Sequence, residues 1–134
     1  MNVVFDTNVL IAAFLSEGVC AKLLLRARKK QFQLVVCPFV LQEFERVLSK
    51  KFAAAHSEVR EALELVDEAA ALKVQPVKEV AGVCRDEDDD NVLACAQAAK
   101  ADYLVTGDAD LLVLESFEKT RIITPRVFEL LFED

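Results

Sequence analysis

The chain has 134 residues, with 16 Lys and Arg against 23 Asp and Glu, which gives a formal net charge of −7. This length fits one domain, residues 1–134, with a single sizeable core. A hydrophobic content of 54% with only three glycines and three prolines excludes disorder, linkers and fibrous repeats. No uncharged stretch approaches the roughly 20 residues of a membrane span, and Asp6 stands where a secretory leader needs basic residues. We therefore expect a cytoplasmic protein without a membrane segment.

The cysteines predict neither a zinc site nor a disulfide framework. No two of Cys20, Cys37, Cys84 and Cys95 have zinc-ligand spacing, and the only histidine is His56. Cys20 and Cys95 fall in apolar helical patterns, which favours reduced cysteines packed in the core. A single histidine in a polar stretch also disfavours catalysis by a Ser–His or Cys–His pair. The chemistry is therefore expected to depend on carboxylates.

Short apolar runs alternate with helical patterns along the chain. In the first half, the predicted elements are a strand over Asn2–Phe5, helices over Thr7–Leu15 and Val19–Lys30, a strand over Gln33–Cys37, a helix from Pro38 to Leu48, and a helix capped by Ser57 that reaches Ala70. In the second half they are a short strand near Val74, a helix from Asp86 to Lys100, a strand over Tyr103–Thr106, a short helix over Leu111–Leu114, a strand over Arg121–Ile123 and a helix from Thr124 to Phe132. With no hairpin signal such as Asn-Gly, this alternation predicts an α/β fold, a three-layer sandwich with a central parallel sheet flanked by helices.

Acidic residues follow two of the predicted strands. Asp6 comes directly after the first strand, and Asp108 follows the Tyr103–Thr106 strand after one glycine. Because the carboxyl ends of parallel strands meet at one edge of a sheet, we expect these two side chains to be neighbours. Glu43, on the flank of its helix, and Asp90, at the start of another, can reach the same edge.

Each acid also has a simpler explanation. Asp6 and Asp108 can cap the helices that follow them, and an acidic run at a helix start is favoured by the helix dipole. Taken together, however, crowded carboxylates are best tolerated when a cation neutralises them. Ligands that are all oxygen favour Mg²⁺ or Mn²⁺, and such ions commonly act on phosphate esters.

Four short motifs resemble those of the PIN domain family. They are Asp6-Thr7-Asn8 after a strand, Glu43 in a helix, Asp90-Asn91-Val92-Leu93-Ala94 opening a helix, and Thr106-Gly107-Asp108-Ala109-Asp110 after a strand. Their order and the chain length are similar to those of VapC-like toxins of prokaryotic toxin–antitoxin systems. The resemblance implies a Mg²⁺- or Mn²⁺-dependent endoribonuclease that forms a homodimer and binds an antitoxin protein.

The resemblance also implies roles for individual residues. Asp6, Glu43, Asp90 and Asp108 would be catalytic and would hold the metal with Asp110. Asn8 and Thr106 would orient Asp6 and the metal's water through hydrogen bonds. Asp89 is the alternative to Asp90, because the helix that carries both is apolar nearly all round and its pattern does not select one of them.

The negative net charge requires that any contact with RNA phosphates come from local basic patches. Arg26 and Lys29 lie on the polar face of the Val19–Lys30 helix, and Arg46 follows Glu43 on the next helix. We predict RNA contacts at these three residues; the alternative is that they are ordinary solvated helix faces.

Two other functions remain open from the sequence: a receiver-like binding or regulatory module, and an inactive interaction domain. A receiver needs a second acid after the first strand and a lysine after the last, where this chain has Thr7 and Thr124.

Overall fold

A computed structural model describes residues 1–132, so the last two residues of the predicted domain, Glu133 and Asp134, lie outside the described residues. The first seven elements are β1 (Asn2–Phe5), α1 (Thr7–Leu15), α2 (Val19–Arg28), β2 (Gln33–Val36), α3 (Pro38–Lys50), α4 (His56–Ala69) and β3 (Ala70–Lys73). The remaining six are α5 (Glu87–Ala98), β4 (Tyr103–Val105), α6 (Ala109–Leu112), β5 (Ser116–Phe117), β6 (Thr120–Ile123) and α7 (Pro125–Glu129).

One six-stranded sheet, in the order β3-β2-β1-β4-β6-β5, forms the centre of the fold. Neighbouring strands from β3 to β6 are parallel, and β5 runs antiparallel to β6. The central strands are almost wholly buried, as expected for a parallel sheet covered by helices. The predicted α/β fold with a mostly parallel sheet is therefore confirmed.

The helices also pack on one another. α1 contacts α2 and α3, and α5 contacts β1 and α3. No single helix within residues 1–132 is long and apolar enough to cross a membrane; α1 and α2 reach the required length and composition only as a pair, which is bent by 100°.

The β5–β6 hairpin was not predicted, and several element boundaries differ from the expectation, among them the end of β3 and the start of α4. The hairpin turns through Glu118, whose φ is 53°, a conformation that glycine and asparagine adopt most readily. Because a glutamate occupies this position, the sequence carries no hairpin signal there. The strand predicted near Val74 is β3, which ends at Lys73. α4 begins at His56, before Ser57, because the Glu58 carboxylate accepts a hydrogen bond from the Ala55 N–H at 2.8 Å.

The prediction that the cysteines are reduced is wrong for two of them. Cys37, directly before α3, and Cys95, in α5, form a disulfide with their Cα atoms 6.0 Å apart. Cys20 and Cys84 are free thiols. Both bridged residues are 1% exposed, so each has the apolar surroundings that the pattern indicated. The pattern could not show that α3 and α5, distant in sequence, bring the two sulfurs together.

Candidate metal centre

Asp6 lies where β1 passes into α1. Its backbone N–H donates to the Val105 carbonyl at 3.0 Å, which aligns the carboxyl ends of β1 and β4. One carboxylate oxygen accepts from the Thr7 N–H at 2.8 Å and so caps α1, and the other accepts from the Thr106 hydroxyl at 2.7 Å. Asp6 is 6% exposed. It therefore caps a helix, as its simpler explanation required, and its second oxygen is held at the edge of the sheet.

Thr106 connects Asp6 to Asp108. Thr106 is fully buried, and its hydroxyl oxygen accepts from the Asp108 N–H at 3.0 Å while it donates to Asp6. The Asp108 carboxylate in turn accepts from the Asp110 N–H at 2.9 Å and caps α6. The two acids that follow separate strands are thus brought together, with Thr106 between them.

The start of α5 supplies a third acid to this edge, and that acid is Asp89. Asp89 lines the same cavity as Asp6 and Asp108, and carboxylate oxygens of Asp89, Asp108 and Asp110 lie within 4.8 Å of one another. Asp90 faces a different cavity, where its carboxylate accepts from the Cys84 N–H at 2.8 Å. Of the two candidates for the third acid, Asp89 is thus the one that lies beside Asp6 and Asp108.

The different positions of Asp89 and Asp90 have a simple physical reason. Asp89 and Asp90 are 9% and 4% exposed, so burial does not distinguish them. Successive residues on a helix point about 100° apart, and only the packing of α5 decides which of the two turns toward the sheet edge.

Glu43 completes the cluster from α3. Its carboxylate lines the cavity and accepts from Nε of Arg46 at 3.1 Å. Asn8, exposed in the first turn of α1, lines the same cavity. The carboxylates of Asp6, Glu43, Asp89 and Asp108 thus line a cavity of about 190 Å³, together with Asp86 and Asp88 from the start of α5, and we call this cavity the acid pocket. Asp110 stands at its rim and binds Nη2 of Arg85 at 2.9 Å.

Electrostatic repulsion inside the acid pocket is strong. Burial raises the pKa of Asp89 to about 7, and the charge and hydrogen bond of Asp108 contribute to the increase. Burial also raises the pKa of Asp6, although its hydrogen bonds with Thr106 and Thr7 oppose the change. Such crowding is what a bound cation would relieve, and the donor set of carboxylate oxygens fits Mg²⁺ or Mn²⁺.

The three predicted RNA-binding residues lie in different parts of the molecule. Arg46 lines the acid pocket. Lys29 is exposed just after α2 and before β2, at the opposite edge of the sheet. Arg26 is 4% exposed, and its guanidinium binds the Glu129 carboxylate at 2.6 and 3.0 Å. The prediction for Arg26 is therefore corrected: this side chain joins α2 to α7, because a paired arginine can be buried at a position that looks polar in the sequence.

The comparisons with known proteins agree with this geometry. A family model described as PIN domain matches residues 2–110, a range that includes the acids of the pocket and Asp110 at its rim. The chain belongs to the PIN domain family. This PIN domain is also similar to the uncharacterized protein MJ1680 of Methanocaldococcus jannaschii, with 30% identity over 123 residues that cover 89% of this chain and 78% of the relative. Membership places the chain in a nuclease superfamily.

Proposed function

We propose that this PIN domain is an endoribonuclease that depends on Mg²⁺ or Mn²⁺ and hydrolyses phosphodiester bonds of RNA. The observation that carries the proposal is the acid pocket, in which carboxylates from four separate segments meet at the carboxyl edge of the sheet. Burial of Asp6 and Asp89, and the charges of the neighbouring acids, disfavour their ionised forms, and a bound cation would offset this cost.

The metal would be held by four acids of the pocket, Asp6, Glu43, Asp89 and Asp108, with Asp110 as a further ligand. A bound Mg²⁺ or Mn²⁺ supplies Lewis-acid polarisation of the phosphoryl oxygen and an attacking water of lowered pKa. Thr106 fixes the direction of the Asp6 carboxylate, and the Thr106–Asp108 hydrogen bond fixes the loop after β4. Asn8, at the pocket mouth, has an amide that can orient a water or a phosphate oxygen.

The basic residues of the pocket rim would position the substrate. The side chains of Arg46 and Arg85 are 61% and 86% exposed, and each already binds one acid of the site. An exposed guanidinium stays largely hydrated in its ion pair. It can therefore exchange the carboxylate for an RNA phosphate at a small desolvation cost. Arg46 therefore keeps its predicted role in RNA binding, and Arg85 joins it.

The biological setting is a prediction from the resemblance to VapC-like toxins. It comprises a role as the toxin of a toxin–antitoxin pair, an antitoxin partner, a homodimer and a cytoplasmic location. The proposed chemistry does not depend on any of these.

Incubation of the purified protein with end-labelled RNA and Mn²⁺, with and without EDTA, tests the proposal. Asp6→Asn and Asp108→Asn should abolish cleavage, and Asp67→Asn, a change on the surface of α4, should not. Cleavage by wild type that survives EDTA would contradict the metal-dependent mechanism. A metal-induced rise in melting temperature without cleavage of any RNA would instead favour an inactive interaction domain.

A further inference from the structure

A second cavity adjoins the acid pocket along α3. It measures about 350 Å³ and is lined by Phe39, Gln42, Glu43, Arg46 and Asp88. Its α3 residues are spaced three or four apart, so they form one face of the helix. Because Phe39, Glu43 and Arg46 also line the acid pocket, the two cavities share a wall. A group bound in the second cavity would therefore lie beside the group bound at the carboxylates.

Phe39 differs from the core aromatic residue nearest to it in sequence. Phe44 is fully buried and packs on Phe14 with ring centroids 5.5 Å apart. Phe39, in the first turn of α3, is only partly buried: it packs against the core and also lines both cavities. An aromatic ring thus stands in the wall of an otherwise polar groove next to the acid pocket.

We propose that this second cavity is a nucleobase subsite, in which an unpaired base of the RNA next to the scissile phosphate stacks on Phe39. The inference rests on the proposed function and deepens it, because it names the group that binds beside the scissile phosphate and the side chain that holds it.

The lining favours a base over a second phosphate. The carboxylates of Glu43 and Asp88 repel a phosphate, and Arg46, the cation that this cavity shares with the acid pocket, is already assigned to the phosphate bound there. A neutral base meets no such repulsion, and every base has a π-face that can stack on an aromatic ring. Gln42 carries both a donor and an acceptor for the edge of that base.

The subsite has a consequence for RNA structure. A base inside an A-form duplex is already stacked and paired, so it can enter the cavity only after it leaves the helix. Loops and single strands present their bases without that cost.

The test uses Phe39→Leu, which keeps an apolar side chain against the core but removes the π-face. Its matched control is Phe52→Leu, since Phe52 is 44% exposed beyond the C-terminal end of α3. Wild type and both variants are assayed on an oligoribonucleotide whose cleavage position is mapped with wild type. They are also assayed on two abasic substrates: one lacks the base on the 5′ side of that position, and the other lacks the base on the 3′ side.

On the intact oligonucleotide, kcat/KM of Phe39→Leu should fall about tenfold or more, the size expected for one base–aromatic stack. The kcat/KM of wild type should fall by a similar factor when one of the two abasic substrates replaces the intact one. The kcat/KM of Phe39→Leu should fall little further on that substrate, because the stacking contact is already absent. Phe39→Tyr, which restores the ring, should recover the activity, and Phe52→Leu should match wild type. The inference is overturned if wild type cleaves both abasic substrates as well as the intact one, or if Phe39→Leu retains full activity.

The abasic comparison with wild type does not depend on how the variant folds. Failure of wild type to cleave would contradict the proposed function, and the dissociation constants of oligonucleotides with an abasic nucleotide at each position in turn then decide the subsite. A Kd that neither the abasic nucleotide nor Phe39→Leu weakens would overturn the subsite on its own.

Discussion

Replacement of Asp89 by asparagine removes the charge that the acid pocket holds at high cost. The pKa of Asp89 is raised by burial, and further by Asp108, from the ordinary 3.8 to about 7. The folded state therefore binds this proton more tightly than the unfolded chain, so the stability of the metal-free protein should fall as the pH rises from 3.8 to about 7. Above that range the ionised pair of Asp89 and Asp108 costs on the order of a few kcal/mol, since one pKa unit is about 1.36 kcal/mol and the two carboxyl groups titrate together.

Asparagine avoids this cost because it is neutral and similar in shape. Its amide can still donate to Asp108, as the protonated Asp89 does. At about pH 8, metal-free Asp89→Asn should therefore melt on the order of 10 °C higher than wild type, and the difference should shrink toward about pH 5. RNA cleavage should fall on the order of 100-fold, because the metal loses a ligand.

Asp90→Asn is the matched control, one residue further along α5. Asp90 accepts from the Cys84 N–H at 2.8 Å, and the asparagine oxygen can accept the same bond. We expect a stability change below about 1 kcal/mol and nearly full cleavage. The measurements are melting curves in EDTA at both pH values and cleavage rates in Mn²⁺. The reasoning is refuted if Asp90→Asn abolishes cleavage while Asp89→Asn retains it, or if Asp89→Asn is the less stable protein at about pH 8.

Three other expectations concern the rest of the molecule. Mg²⁺ or Mn²⁺ at a concentration of about 100 times its Kd should raise the free energy of unfolding of wild type by about 2.7 kcal/mol, and melting that ignores the metal would contradict a metal site. Arg26→Met should lower the free energy of unfolding by about 3 kcal/mol, because it leaves the Glu129 carboxylate without this partner. It should not change the dependence of RNA affinity on salt concentration; a weaker salt dependence would show that Arg26 contacts RNA. The Cys37–Cys95 bridge spans 58 positions, so a reductant should lower the free energy of unfolding of wild type by about 4 kcal/mol in urea titrations. The same reductant should not change the stability of Cys37→Ser, which lacks the bridge. An equal response of both proteins would show that the bridge does not stabilise the fold.

The sequence by itself determined the architecture and the edge of the sheet at which the acids gather. The buried strands and the helices between them are local patterns, and they appear in the structure in the predicted order. Parallel connections place the carboxyl ends of β1 and β4 at one edge, so Asp6 and Asp108 become neighbours without any knowledge of side-chain packing.

Only the tertiary structure decided which side chains turn toward that edge. Asp89 and Asp90 lie on a helix that is buried on most sides, and the packing of α5 selects Asp89. Packing against α7 likewise draws Arg26 inward to Glu129, although its position on α2 looks polar. The direction of a side chain depends on its contacts with segments that are distant in sequence, such as a carboxylate, a guanidinium or the wall of a cavity. The local pattern of polar and apolar residues contains no information about those contacts.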